Sequence, residues 1–138
     1  QEIKTNLLHQ ELLKYSHNIY MPKIFAENVM KFNLFTSEYS LTKNKYGITE
    51  VDNEEYLEPH LFDAMFIPFV GVDINGFRIG YGGGYFDRAL SSLMDSNHRK
   101  PLIIGLGYDY QILSKNLAEP HDLRYNKVIT ESRILSYN

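Results

Sequence analysis

The sequence contains no cysteine. Disulfides and thiolate metal sites are therefore both excluded, nothing demands an oxidising compartment, and a cytoplasmic location fits best. No apolar run approaches the roughly 18 residues that a membrane-spanning helix needs, and no signal-peptide pattern opens the chain. Basic runs are missing too: the formal net charge is −3, and general nucleic-acid binding draws on a positive field. No internal repeat, low-complexity tract or interdomain linker interrupts the 138 residues, which read as one domain.

What the chain has in quantity is apolar and aromatic surface. Hydrophobic residues make up 43% and aromatic residues 14%, a composition that folds rather than one that stays disordered. Thr5 predicts the cap of a helix with Leu8, Leu12 and Tyr15 as its apolar stripe, ending near Ser16 and His17. His9 and His17 lie eight positions apart instead of the four of a helical metal pair, so they read as solvent-facing. Ile19, Tyr20 and Met21 predict a short strand stopped by Pro22, with Lys23 at its carboxyl end. In residues 30–35, Met30, Phe32 and Leu34 alternate with Lys31, Asn33 and Phe35, the pattern of a strand with one face more buried. Residues 37–59 are polar and predict mostly loop.

The apolar run within residues 62–70 predicts a central strand covered on both faces. Asp73-Ile74-Asn75-Gly76 predicts a tight turn, residues 85–94 a helix, and residues 102–106 a second buried strand. Tyr108 and Tyr110 either stack on a ligand or, the favoured reading, fill the core of the loop that follows, and residues 127–130 are expected to form the last strand. Alternating strands and helices imply an α/β fold, an open sheet with helices on both faces.

Residues 78–90 organise the rest. Gly80, Gly82, Gly83 and Gly84 run straight into the expected helix, and backbone free to take positive φ can aim successive N–H groups into one concavity. That concavity suits an anion, and the first turn of the helix would add unpaired N–H groups. The pattern is not the Walker phosphate loop, since no Gly-Lys-Ser/Thr follows, and it is not GxGxxG, since Tyr85 stands where the last glycine would be. A glycine cluster alone is equally a surface loop. Arg78, Tyr81, Tyr85 and Phe86 around it supply groups suited to phosphate and to flat rings, which favours a binding site. Asp87, about one turn in, either neutralises the helix dipole or holds Mg²⁺ beside a phosphate.

Residues 75–88, Asn-Gly-Phe-Arg-Ile-Gly-Tyr-Gly-Gly-Gly-Tyr-Phe-Asp-Arg, closely resemble the signature of the 5-formyltetrahydrofolate cyclo-ligase family. Met21-Pro22-Lys23, Tyr46-Gly47-Ile48-Thr49-Glu50, Phe66-Ile67-Pro68, Glu119-Pro120-His121-Asp122 and Val128-Ile129-Thr130-Glu131 accompany it at matching separations, so the resemblance spans nearly the whole chain. It implies a three-layer α/β/α sandwich with an open, mostly parallel sheet, similar to ribose-phosphate isomerases and CoA transferases. It also implies one cyclo-ligase domain over residues 1–138, which the family precedes with a helix and a first strand.

The activity so implied is ATP- and Mg²⁺-dependent cyclisation of 5-formyltetrahydrofolate to 5,10-methenyltetrahydrofolate, with release of ADP and phosphate. A non-catalytic nucleotide- or folate-binding relative is the alternative. By the resemblance Arg78, Ile79, Gly80, Tyr81, Gly82, Gly83, Gly84, Tyr85 and Phe86 hold the ATP phosphates, with Arg78 and Tyr85 the catalytic pair. Tyr81 to Tyr85 also line the folate side, Glu2 meets the pterin, and Asp87 and Asp122 hold Mg²⁺. The partner is a small molecule, and a monomer is favoured. The chain departs from the family where Gly83 stands in place of a common lysine, Thr49 and Val51 in place of prolines, Val72 in place of phenylalanine and Asn126 in place of aspartate.

Overall fold

Amphipathic spacing and chain reversals account for most of the elements seen in a computed structural model of the protein. It describes residues 4–15, 18–25, 29–35, 41–43, 49–51, 54–80, 84–94, 100–117 and 123–137, which fall into two compact units, residues 4–59 and residues 60–138.

In the first unit, helix α1 (Asn6–Lys14) half-buries Leu8 and Leu12, one turn apart. Thr5 precedes it without a side-chain cap, offering only its carbonyl to the His9 N–H at 3.0 Å. Tyr15, expected on the apolar stripe, is 73% exposed, because the helix has ended before it and its backbone has left the helical face. Strands β1 (Ile19–Ile24) and β2 (Met30–Phe35) form an antiparallel hairpin with Pro22 opposite Phe32. Pro22 does not stop the strand. The even-numbered amides of β1 point away from β2, as shown by the Ile24 N–H donating to Glu50 Oε2 at 2.6 Å, so a residue with no N–H fits that edge. Lys23 therefore lies within the hairpin rather than at a strand end, with Nζ 5.4 Å from the Phe25 ring centroid.

Strand β2 is paired on both sides. Leu34 N–H donates to the Glu55 carbonyl and Leu57 N–H to the Phe32 carbonyl, which buries Asn33 along with Phe32 and overrides the expected alternation. The stretch expected to be loop contributes this pairing and a short antiparallel pair, β3 (Leu41–Lys43) with β4 (Thr49–Val51). Glu50, on β4, is buried. Residues 44–48, which include Tyr46, lie outside the described residues.

The second unit is built on strand β5 (Ala64–Pro68), a hairpin of β6 (Gly71–Val72) and β7 (Arg78–Ile79), helix α2 (Tyr85–Ala89), and strands β8 (Leu102–Leu106), β9 (Lys127–Ile129) and β10 (Ile134–Ser136). Its four-stranded sheet runs β10-β9-β8-β5: β5, β8 and β9 are parallel and β10 is antiparallel at the end. This is an α/β fold with a mixed, mostly parallel sheet and few helices. Ile103, Ile104 and Gly105 are buried in succession, so β8 is covered on both faces, whereas β5 buries only Met65 and Ile67 fully and stands at the end of the order among the described strands. The core is completed by Phe69, Val72, Leu90, Leu93, Leu123, Tyr125 and Val128. Helix α2 stops after five residues and a 3₁₀ turn, Ser91–Met94, carries the chain on. The Ser91 hydroxyl donates to the Arg88 carbonyl at 2.9 Å, competing with the backbone donor that would extend the helix.

Candidate functional site

The glycine-rich segment is presented by the β6–β7 hairpin, and a buried aspartate builds that hairpin's turn. Asp73 Oδ1 accepts the N–H groups of Asn75 and Phe77, both at 2.9 Å, while the Gly76 N–H donates to the Asp73 carbonyl at 3.1 Å. This is the side-chain mimicry of a backbone turn that favours Asp at such a position. Gly76 has φ of 88° and the Tyr137 ring lies where a Cβ would project. Arg124 closes the turn from outside, its Nε donating to the Asn75 carbonyl at 2.8 Å and its guanidinium lying over Phe77.

From this base Arg78 turns inward. It is 6% exposed, its Nε donates to the Pro68 carbonyl at 2.8 Å, and its guanidinium lies 5.1 Å from the Phe86 ring centroid. Among the described residues no carboxylate pairs with it. Gly80 is needed for room: a Cβ there would come within 2.4 Å of Arg78 Nη1. Gly84, by contrast, is needed for conformation, with φ of 69° at the start of α2. Tyr85 opens α2 half-buried, 5.3 Å from Arg88 to its ring centroid. The structure thus brings Arg78, Ile79, Gly80, Gly84, Tyr85, Phe86 and Asp87 onto one strand-to-helix segment. Tyr81, Gly82, Gly83, Glu2 and Asp122 lie outside the described residues.

Asp87 sits in the first turn of α2, and its Oδ1 is 3.4 Å from the Leu123 N–H, a long hydrogen bond that leaves the carboxylate largely uncommitted. A carboxylate is the hard oxygen donor that Mg²⁺ takes alongside phosphate oxygens, and Asp87 fits that ion. Among the described residues no three His, Asp or Glu side chains converge elsewhere.

Two side chains that sequence reasoning passed over brace this segment. Tyr125 is fully buried and its hydroxyl donates to the Ile67 carbonyl at 2.8 Å, with the Pro68 carbonyl at 3.2 Å. Burial pushes its phenol above the ordinary range, and the nearby charge of Arg78 pulls it only part of the way back. Gln111 donates through Nε2 to the carbonyls of Phe69 (3.0 Å) and Val70 (3.1 Å) and accepts the Tyr108 N–H at 2.7 Å. Val70 N–H in turn donates to the Ile79 carbonyl at 2.8 Å, so the loop after β8 is tied to the residue before Gly80. Neither carries a pattern in the sequence, since each is a single residue in an irregular stretch.

Because the Gln111 amide occupies the inside of that loop, Tyr108 and Tyr110 do not fill its core as expected. They stack on each other, 5.8 Å between centroids, with Tyr110 71% exposed. Asp109 between them is clamped by Arg133 Nε at 2.9 Å and Thr130 Oγ1 at 2.8 Å. The Arg133 hydrogen bond, then those of Thr130 and Ser132, hold its carboxyl below the usual carboxylate range.

Residues 1–131 match the model of a family described as the 5-formyltetrahydrofolate cyclo-ligase family. Among curated proteins, the chain is 30% identical over 124 residues to the 5-formyltetrahydrofolate cyclo-ligase of Haemophilus influenzae, covering 87% of this chain and 64% of that protein. It is 28% identical over 137 residues to the Escherichia coli K12 protein of the same name, covering 96% and 74%. Among solved structures, it is similar to the Aquifex aeolicus 5,10-methenyltetrahydrofolate synthetase, with a TM-score of 0.78 and 26% identity over 98% of this chain and 66% of that one. The chain spans about two thirds of the length of these relatives.

Proposed function

The chain belongs to the 5-formyltetrahydrofolate cyclo-ligase family, and from that premise we propose that it carries out the ATP- and Mg²⁺-dependent cyclisation of 5-formyltetrahydrofolate to 5,10-methenyltetrahydrofolate, releasing ADP and phosphate. The observation that carries the reading is the strand-to-helix segment 78–87, in which a buried Arg78 with no carboxylate partner among the described residues lies beneath Gly80.

A formyl group on nitrogen is an amide, and its oxygen leaves poorly. Attack of that oxygen on the γ-phosphorus, with cleavage of the bond to the β-phosphate bridge, gives ADP and an activated formyl carbon. N10 then attacks that carbon, the five-membered ring closes, and phosphate departs with the former formyl oxygen. Catalysis of phosphoryl transfer is mainly positioning and charge stabilisation, so a chain without cysteine is well suited to it. Arg78 and the backbone of residues 79–86 hold the phosphates, and Tyr81 to Tyr85 orient the formyl group toward them. Glu2 accepts hydrogen bonds from the pterin. Mg²⁺ held by Asp87 and Asp122 would neutralise phosphate charge.

The same reading gives a cytoplasmic monomer whose partner is the folate rather than nucleic acid or membrane, with its sheet layered between helices as a three-layer sandwich. The test is the near-ultraviolet band of the methenyl product. It is expected to grow only when ATP and Mg²⁺ are both present, and growth at an equal rate without nucleotide would refute the reading.

A further inference from the structure

The guanidinium of Arg78 is held by neutral groups from two parts of the chain, and a third part steadies one of them. Nε is fixed by the Pro68 carbonyl at the end of β5, and one face lies over Phe86 of α2. Tyr125 reaches it through Pro68: its hydroxyl donates to the Ile67 carbonyl at 2.8 Å and, at 3.2 Å, to the same Pro68 carbonyl that accepts Arg78 Nε. Tyr125 is itself locked, since its ring meets Phe69 edge-on at 5.7 Å and lies about 3.0 Å from where a Cβ on Gly105 would project. A charge this buried is tolerated only with its hydrogen bonds made. A guanidinium fork held by a carbonyl and a ring keeps its full positive charge, where a carboxylate partner would cancel it.

We propose that Tyr125 is a positioning residue: its hydroxyl steadies the Pro68 carbonyl that holds the Arg78 guanidinium beneath Gly80, so that this buried charge faces the anion bound by the glycine-rich segment. The phosphate part of this inference rests on the cyclo-ligase reading, whereas the Tyr125–Arg78 clamp does not. Tyr125 touches no substrate and acts through Arg78. The clamp also gives Gly80 its reason, since Arg78 Nη1 occupies the space of any larger side chain there.

Tyr125→Phe removes the hydroxyl and keeps the ring packing on Phe69. Freeing the carbonyl that holds a buried charge is expected to weaken ATP binding about tenfold by titration calorimetry, with 5-formyltetrahydrofolate affinity unchanged. In an Arg78→Met background the same change is expected to alter ATP affinity less than about twofold, because the two residues act as one unit. Equal ATP affinity of Tyr125→Phe and the parent, or full additivity of the two losses, would overturn the proposal. The clamp is read separately from the Arg78 Nε–H proton by NMR on the ligand-free protein. Slow solvent exchange in the parent, faster in Tyr125→Phe, supports it. Fast exchange already in the parent refutes it even where the variant does not fold. A parent protein that binds no ATP would remove the cyclo-ligase reading and the phosphate role together, leaving the exchange result to decide the clamp.

Discussion

Asp87→Asn is expected to lower turnover at least about a hundredfold, equivalent to some 2.7 kcal/mol of lost transition-state stabilisation, while the folded protein survives almost unchanged. The asymmetry follows from what the carboxylate touches. Its hydrogen bond from the Leu123 N–H, at 3.4 Å, is long, and the amide oxygen of asparagine still accepts it. The charge at the start of a five-residue helix contributes about 0.3–1 kcal/mol, so the melting temperature should fall by only a few degrees. If Asp87 instead serves the helix dipole alone, the pattern inverts: turnover stays and only the melting temperature falls. Measuring both on one preparation, across a Mg²⁺ titration, separates the two roles.

That ambiguity was already visible in the sequence, and the reason it was visible explains how much else could be read there. Elements that carry several consecutive apolar residues or reverse the chain with a distinctive set of side chains announce themselves. The runs in β5 and β8, the Asp73 turn and the start of α2 at Tyr85 all stand where spacing places them. Three-residue strands do not. Ile134 of β10 is largely exposed and β3 and β4 are equally short, so no periodicity develops before each ends. Pro22 misled in the other direction: the rule that proline breaks strands applies to amides that must donate, and this edge asks for none from Pro22.

For the site, the glycine-rich segment and its flanking groups were legible because their chemistry is local in sequence. The bracing residues were not, because it comes from elsewhere. Tyr125 and Gln111 act on residues about 58 and 42 positions away, and a lone tyrosine or glutamine carries no sign of which distant carbonyl it will meet. Asp73 is the intermediate case: its turn was readable, its complete burial was not.

The second large effect concerns the loop after β8. Gly107→Ala is expected to destabilise the protein by about 1–3 kcal/mol, lowering the melting temperature by roughly 3–10 °C. A Cβ at Gly107 would lie 2.4 Å from Phe69 Cζ and 2.8 Å from Gln111 Oε1. Neither neighbour has room to yield: Phe69 is buried against Tyr125, and Gln111 is committed to three hydrogen bonds. Because those bonds tie the loop to Phe69 and Val70, ATP-dependent turnover should fall with stability. Gly71→Ala is the control, since its Cβ would meet Leu113 at an ordinary 3.4 Å and a melting temperature within about 2 °C of the parent is expected. Equal melting temperatures for Gly107→Ala and the parent would show that the loop does not brace the site.

The central claim is that this chain activates the formyl oxygen of 5-formyltetrahydrofolate by transferring phosphate to it. Substrate carrying ¹⁸O in the formyl group, converted with ATP and Mg²⁺, tests this most directly through mass analysis of the released phosphate. The account predicts one ¹⁸O in each phosphate formed with the methenyl product. Methenyl product accompanied by unlabelled phosphate, with the ¹⁸O recovered in water, would contradict it.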